Sequence, residues 1–404
     1  MYNLTTHYTS IFNLVNSIIS HPSIQYLHPF GSTEIKNIEY LSTQIDNTPE
    51  DKPRSKISSI VFCYDQEPLL ANFNKELFNH VTDTTDFFQV QGKLVILLNT
   101  ELDSDDKDKI LSEFNFVDCY YFHHIFAAHD WFRGYYYDKH ITNPADRKLS
   151  KKFITFNRLT SNARVYRTLL INELINYNLL DDGYVSYSKE CPQGGNFDQQ
   201  LINNADQYNI SPYLVQQSIH NINHSIHSFR VDFTTNEYIP NRSFSIDSID
   251  LSMESFLYIV TETNYWGRRK HLTEKIFKPI ILKQPFILVG CAYNLDYLKS
   301  YGFKTFDHWW SEDYDNITDD IERMKCIGQT IDSICKLSLS DMELILQDMQ
   351  ETLEYNFNLF YSRDFIDSAW KELETNLTKA IDTACRTDKY KEILFNILKH
   401  KRLN

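Results

Sequence analysis

The stretch from Phe256 to Gly290, FLYIVTETNYWGRRKHLTEKIFKPIILKQPFILVG, constrains the fold more than any other part of the chain. Phe256 to Val260 is an unbroken run of apolar, β-prone residues, the pattern of a strand buried on both faces of a parallel sheet. Its carboxyl end delivers Glu262 into a loop carrying Arg268, Arg269, Lys270 and His271, a segment too polar to read as core. Thr273 offers an N-cap hydroxyl, Glu274 falls in the first turn, and Ile276, Phe277, Ile280 and Ile281 recur at helical spacing. Gln284-Pro285 ends that helix, and Phe286 to Val289 supplies the next strand. The pattern predicts a βαβ crossover whose helix N-terminus, basic loop and Lys275 face one crevice, an arrangement suited to a diphosphate. Spacing alone also admits a solvated loop followed by a capped helix.

With 404 residues the chain has length for two domains, each with its own core. Glycine is scarce for an α/β nucleotide-binding protein, at 10 residues, and neither G-x-G-x-x-G nor G-x-x-x-x-G-K-[ST] occurs. Phosphate therefore has to be held by other means. A formal charge of −14 opposes broad adhesion to DNA or to an anionic membrane, although a local basic groove is compatible with it. The seven cysteines include no C-x-x-C pair and read as reduced, buried thiols of a cytosolic protein. The first twenty residues lack a basic n-region and a continuous apolar core, and no apolar run is long enough to span a bilayer. The expectation is a soluble, cytoplasmic protein without integral membrane association.

Taken in order, Ile11, Phe12, Leu14, Val15, Ile18 and Ile19 predict an amphipathic helix over 8–20, and 41–56 reads as loop. Ile57 to Tyr64 is a strand that runs into Asp65-Gln66-Glu67-Pro68, placing two carboxylates at a strand's carboxyl end before a turn-fixing proline. Asp65 and Glu67 serve equally well as simple turn-formers. Lys93 to Leu98 and Phe116 to Phe122 are further strands, and His123, His124 and His129 follow in a helix. His124 and His129 are five apart, the wrong spacing for a metal pair on one helix face, so no metal site is assigned and these histidines are taken as cleft lining. Asn143 to Asp146 has the turn chemistry of a linker.

A second βαβ unit follows, with KFITFN from Lys152 to Asn157 as strand, Ala163 to Tyr177 as helix and Tyr184 to Tyr187 as strand. Arg158, Arg164 and Arg167 stand at its mouth. Segment 189–250 reads as an elaborated loop region with a helical patch near 211–222 and weak strands near 229–238. Helices are predicted over 294–300, 319–333, 340–359, 362–384 and 389–400. The domains are placed at 1–145, 151–360 and 361–404, the last as helices packing back on the first domain.

The segment around Glu262 resembles the C-terminal signature of the α1,3-fucosyltransferases, roughly F-x-x-x-F-E-N-S, a loop, Y-x-T-E-K, a helix and an apolar strand ending in Gly. The counterparts are Glu262, Thr273-Glu274-Lys275 and PFILVG. Thr263-Asn264 departs from Asn-Ser, the loop is about two residues longer, and His271 stands where the family often has Tyr. The second βαβ is similar too, with Arg167 in the place of the family's helical arginine and Arg164 the competitor. The resemblance covers about 151–290; the first domain matches only in general character.

It implies a GT-B glycosyltransferase, two Rossmann-like parallel-sheet domains facing across a cleft with C-terminal helices, inverting and metal-independent, with a nucleotide-diphosphate sugar as donor substrate and no other cofactor. The donor residues would be Arg167, Glu262, Glu274, Lys275, Arg158, Arg164, Arg268, Arg269 and His271, with Lys275 and Arg167 on the diphosphate and Glu274 on ribose hydroxyls. The acceptor base would be Glu67, with Asp65 next and His129 after it. A glycan is the expected acceptor. Two alternatives stand beside it: glycosylation of hydroxymethylated bases in bacteriophage DNA, which an AT-rich, viral-looking composition favours, and a non-catalytic carbohydrate-binding or scaffold protein of the same fold.

Overall fold

The computed structural model describes residues 9–17 (except 12 and 16), 22–26, 59–70, 95–192, 194–229, 246 and 248–401; the side chains of 22–26, 59–60, 385 and 387–401 fall outside that description. The protein is α/β, and its chain divides into two compact units, Met1–Ala127 with Ile366–Asn404, and Ala128–Phe365. The divisions thus lie at 127/128 and 365/366. Asn143 to Asp146, the linker of the sequence reading, forms a capped 3-10 turn inside the second unit.

In the first unit four strands, β1 (Pro22–Tyr26), β2 (Ser59–Tyr64), β3 (Val95–Asn99) and β4 (Phe116–Tyr120), make a parallel sheet in that sequential order. Ile60 pairs with Val95 and Val95 with Phe116, so the three later strands start level. Val61, Phe62 and Cys63 of β2 and Ile96, Leu97 and Leu98 of β3 are fully buried, as an apolar run covered on both faces must be. β1 is absent from the sequence reading: PSIQY is short, mixed and led by proline, and only its pairing with β2 makes it a strand.

In the second unit β5 (Lys151–Asn157), β6 (Gly183–Tyr187), β7 (Ser255–Thr261) and β8 (Phe286–Val289) form a parallel sheet in the order β8-β7-β5-β6. Every residue of β7 is buried. The first two strands run outward in one direction and the last two in the other, so the order reverses between β5 and β7. In an open parallel sheet, ligands bind beyond the carboxyl ends of the strands at this reversal.

The helices correct the sequence reading in two places. The expected pair 362–384 and 389–400 is one helix, Arg363–Lys401, because the intervening Cys-Arg-Thr-Asp contains neither Gly nor Pro to stop it. The expected 340–359 is two helices, Leu339–Asp348 and Gln350–Tyr361, divided at the buried Met349. Between 189 and 229 the loop region contains two helices, Phe197–Asn204 and Pro212–His224. The strands expected near 229–238 and the loop over 41–56 lie outside the described residues, and those described between 9 and 17 are helical. No helix among the described residues is long and apolar enough to cross a membrane.

Gly183, at the start of β6, carries a packing constraint that can be measured. A Cβ built on it would lie 2.3 Å from the ring of Phe153, which is fully buried in β5 and has no room to give. Gly183→Ala is expected to destabilise the protein by about 1–3 kcal/mol through overpacking, read as a lower urea midpoint.

Candidate functional site

Three chain segments leave the carboxyl edge of the second sheet at the reversal: Asn157 onward from β5, Glu262 onward from β7 and Gly290 onward from β8. One side chain ties the first two together. Arg167, in the helix Tyr166–Asn176, is buried and donates from Nη1 to the Leu159 carbonyl at 3.0 Å and from Nη2 to the carbonyls of Thr261 and Glu262 at 3.2 and 3.1 Å. Its Nε–H meets the Tyr166 hydroxyl at 3.4 Å, and that hydroxyl itself donates to the Glu262 carbonyl. The guanidinium thus turns most of its N–H groups toward main-chain carbonyls and makes no ion pair among the described residues. Among the described residues its charge rests on carbonyl dipoles and on Tyr166, at the place where a parallel sheet presents a ligand.

The loop after β7 was expected to be too polar for core, and here the structure corrects the reading. Glu262, Thr263, Asn264, Tyr265, Arg269, His271, Leu272, Thr273 and Glu274 are all buried, whereas Arg268 is exposed and Trp266, Lys270 and Lys275 are half-buried. The loop tolerates burial because Glu262, Thr263, Thr273, Glu274 and Lys275 satisfy one another. The Glu262 carboxylate accepts from Thr273 N at 3.2 Å, Thr273 Oγ1 at 2.5 Å and Thr263 N at 3.2 Å. Burial pushes the Glu262 carboxyl above its ordinary pKa, against the opposing pull of Lys275 and Thr273.

Lys275 Nζ reaches Thr263 Oγ1 at 3.1 Å, Thr273 Oγ1 at 3.3 Å and Glu274 Oε1 at 3.0 Å, three acceptors for three hydrogens. Burial raises the Glu274 carboxyl, and the nearby Lys275 and Lys278 outweigh it, leaving Glu274 below its ordinary value and ionised. A second correction concerns the helix itself: Thr273 caps a 3-10 turn, Glu274–Ile276, which passes into a helix of only five residues, Phe277–Ile281. Pro279 and the left-handed Lys283 (φ 50°) before Gln284-Pro285 keep it short. So short an element has little macrodipole, and the positive character of the site rests on side chains.

Arg158 and Arg164 are half-buried in the connection between β5 and the Arg167 helix, the connection whose Leu159 carbonyl Arg167 holds. Beyond β8, Asn294 donates from Nδ2 to the His271 carbonyl at 3.2 Å, which fixes the far end of the loop. Arg323, missed by sequence reasoning, stacks over Tyr265 at 4.5 Å, donates to the carbonyls of Gly290 (3.1 Å) and Tyr265 (2.6 Å), and pairs with Asp320. Nothing in the sequence marks it, since an arginine one turn into a helix normally reads as solvated.

The paired carboxylates of the first unit prove unlike each other. Asp65 is fully buried at the end of β2 and accepts a hydrogen bond from the Tyr121 hydroxyl, whereas Glu67 is half-buried. The same hydroxyl lies 3.0 Å from His123 Nδ1, which is 3.8 Å from Asp65. With the tyrosine proton directed at Asp65, His123 Nδ1 carries its own proton and donates. His129 belongs to neither group: it packs against Phe360 and Tyr361, and burial lowers its pKa to about 4. Among the described residues, no cluster of three or more His, Cys, Asp or Glu side chains is arranged to hold a metal ion.

Comparison of the chain with protein-family models, with curated proteins and with solved structures gave no match.

The segment after β8 is held by Asp315, whose carboxylate accepts from Leu295 N at 3.0 Å and Asp296 N at 3.2 Å. Burial raises its pKa from 3.8 to about 6 in the fold, despite those two hydrogen bonds. A carboxyl with a raised folded-state pKa contributes stability that is fully present below pH 3.8 and lost as pH rises through about 6. Asp315→Asn, with nothing to ionise, is expected to gain stability relative to the wild type across that window, by up to about 3 kcal/mol. Paired urea titrations from pH 4 to 7 would measure it; a constant difference would show that Asp315 does not titrate there.

Proposed function

We propose that the protein is a glycosyltransferase of the GT-B type, transferring a sugar with inversion from a nucleotide-diphosphate sugar to an acceptor hydroxyl, a glycan, without a divalent metal. The observation that carries the reading is the buried Arg167, without a carboxylate partner among the described residues, at the strand-order reversal of the second unit, where an anionic ligand would supply counter-charge. Lys275, 30% exposed and one residue past the buried Glu274, can turn toward a diphosphate by exchanging its threonine acceptors for phosphate oxygens. Its threonine partners are replaceable acceptors, and Thr263 can donate its hydroxyl proton to a phosphate oxygen, whereas that of Thr273 is held by Glu262. Arg158, Arg164 and Arg268 add positive potential at the same edge, and Arg269 and His271 act through the shape of the loop.

In this reading the chemistry is electrostatic stabilisation of a leaving nucleoside diphosphate as the anomeric carbon gains oxocarbenium character. Arg167 contributes charge and holds the two strand ends, Lys275 contacts the diphosphate, and Glu274 pairs with Lys275 and receives ribose hydroxyls. The acceptor proton goes to a carboxylate of the first unit. Glu67 suits that role better than Asp65, since a fully buried acid already bonded to Tyr121 has less access to a substrate.

The test is a panel of nucleotide sugars assayed for binding by calorimetry and for hydrolysis or transfer. Lys275→Ala is expected to weaken nucleoside-diphosphate binding by about 1.5–3 kcal/mol. Glu67→Gln is expected to bind donor as the wild type does and to turn over roughly 10²–10⁴ times more slowly. Unaltered affinity in Lys275→Ala removes that residue from the site, and a wild-type protein that binds no member of the panel overturns the reading.

A further inference from the structure

Three buried asparagines stand at the same carboxyl edge, one on each of the segments that follow β5, β7 and β8, and each has one side-chain atom without a hydrogen-bond partner among the described residues. Asn157, the last residue of β5, donates from Nδ2 to Thr155 Oγ1 at 3.1 Å and leaves Oδ1 unpaired. Asn264, two residues past Glu262, leaves Nδ2 unpaired. Asn294, beyond β8, donates to the His271 carbonyl and leaves Oδ1 unpaired. They are 0%, 5% and 0% exposed, so water does not reach them freely.

The segments that carry them adjoin. Thr155 pairs with Ile259, which sets Asn157 opposite Thr261, the residue before Glu262. A Cβ on Gly290 would lie 3.8 Å from Glu262 Cβ and 3.2 Å from Asn294 Nδ2, so Glu262, Gly290 and Asn294 adjoin. An unmet buried polar atom costs about 1–3 kcal/mol, and three of them on three adjoining segments call for a common partner.

We infer that Asn157, Asn264 and Asn294 read the hydroxyl groups of a sugar ring held at this edge, an inference that rests on the donor reading above. The chemistry selects the ligand class. Two of the unmet atoms are carbonyl oxygens, which repel phosphate oxygens and accept from hydroxyls, and the third is an amide N–H, which donates to them. A hydroxyl both donates and accepts, so neighbouring hydroxyls of one ring answer all three atoms. Phosphate would meet Lys275, and the amides would meet the polyol part of the same ligand. Ribose and the transferred sugar share this chemistry.

The experiment compares binding of inorganic pyrophosphate, a nucleoside diphosphate, its 2′-deoxy counterpart and a set of nucleotide sugars to the full-length wild type, Asn264→Ala and Asn294→Ala. Asn264→Ala is the cleaner variant, because the Nδ2 it removes has no hydrogen-bond partner among the described residues; thermal unfolding checks both folds. The expected result is unchanged pyrophosphate affinity with about fivefold weaker binding of the hydroxyl-bearing ligands, the factor for one net hydrogen bond. A loss already present with the nucleoside diphosphate and absent with the deoxy compound assigns the amides to ribose; a loss confined to nucleotide sugars assigns them to the transferred sugar. Equal affinity of both variants and the wild type for every ligand, or equal loss for pyrophosphate and for sugar ligands, overturns the inference and leaves the donor reading standing. A wild type that binds none of these ligands overturns both.

Discussion

The site depends on one buried cation. Arg167 bridges the end of β5, through the Leu159 carbonyl, to the end of β7, through Thr261 and Glu262. Strand ends at a reversal diverge, and main-chain carbonyls exposed there would otherwise need water or a capping side chain. A guanidinium is the side chain that can reach several at once, because its donors are fixed in a planar fork; a lysine could follow only one or two. Removing it would leave buried carbonyls unmet and free the Glu262 loop. Among the described residues no carboxylate pairs with that charge, so the device that shapes the edge also makes it attractive to anions.

That loop explains why polar residues can build what amounts to core. Glu262 gathers three donors from Thr263 and Thr273, Thr273 Oγ1 in turn accepts from Lys275, and Lys275 pairs with Glu274. The two acids diverge for physical reasons: Glu262 is dominated by burial and its carboxyl pKa is raised, whereas Glu274 has Lys275 and Lys278 close enough to keep it ionised. Paired acids pushed in opposite directions by their surroundings are a common property of functional sites, though structural networks produce it as well.

How much of this was readable in the chain divides along physical lines. The buried strands at Val61, Phe153 and Phe256 to Val260 show in the sequence because apolar runs covered on both faces need no partner to be recognised. Thr273 as a cap and Glu262 at a strand end were equally legible, being local. β1 was not, since PSIQY owes its conformation to pairing. Nor was the burial of Arg269, His271 and Glu274, because whether a polar residue is solvated depends on partners distant in sequence. Arg167 was legible as a residue at the mouth of the second βαβ, but its grip on Glu262, 95 residues away, belongs to tertiary structure. The Tyr121–His123 pair on Asp65 is of the same kind: the sequence offers the acids and the histidines, and only the sheet brings them together.

The two sheets are alike in being parallel and differ in the property that governs ligands. Among the described strands, the first runs in sequential order and offers no reversal, while the second reverses between β5 and β7. A sheet without a reversal has neighbouring connections on one side, which close over its carboxyl edge; a reversal parts them and leaves a crevice. The scarce glycines fit this division, since a cradle built from Arg, Lys, Thr and Asn side chains needs no glycine-rich loop to bring the backbone against phosphate. Such a cradle has a cost that a glycine loop avoids: its cationic donors are already engaged, as the three acceptors around Lys275 show. A ligand there must offer at least as many good acceptors as it displaces. A diphosphate, with several charged oxygens, does so, and a neutral sugar alone does not, which is why the reading assigns the cation to the phosphates and the amides to the ring.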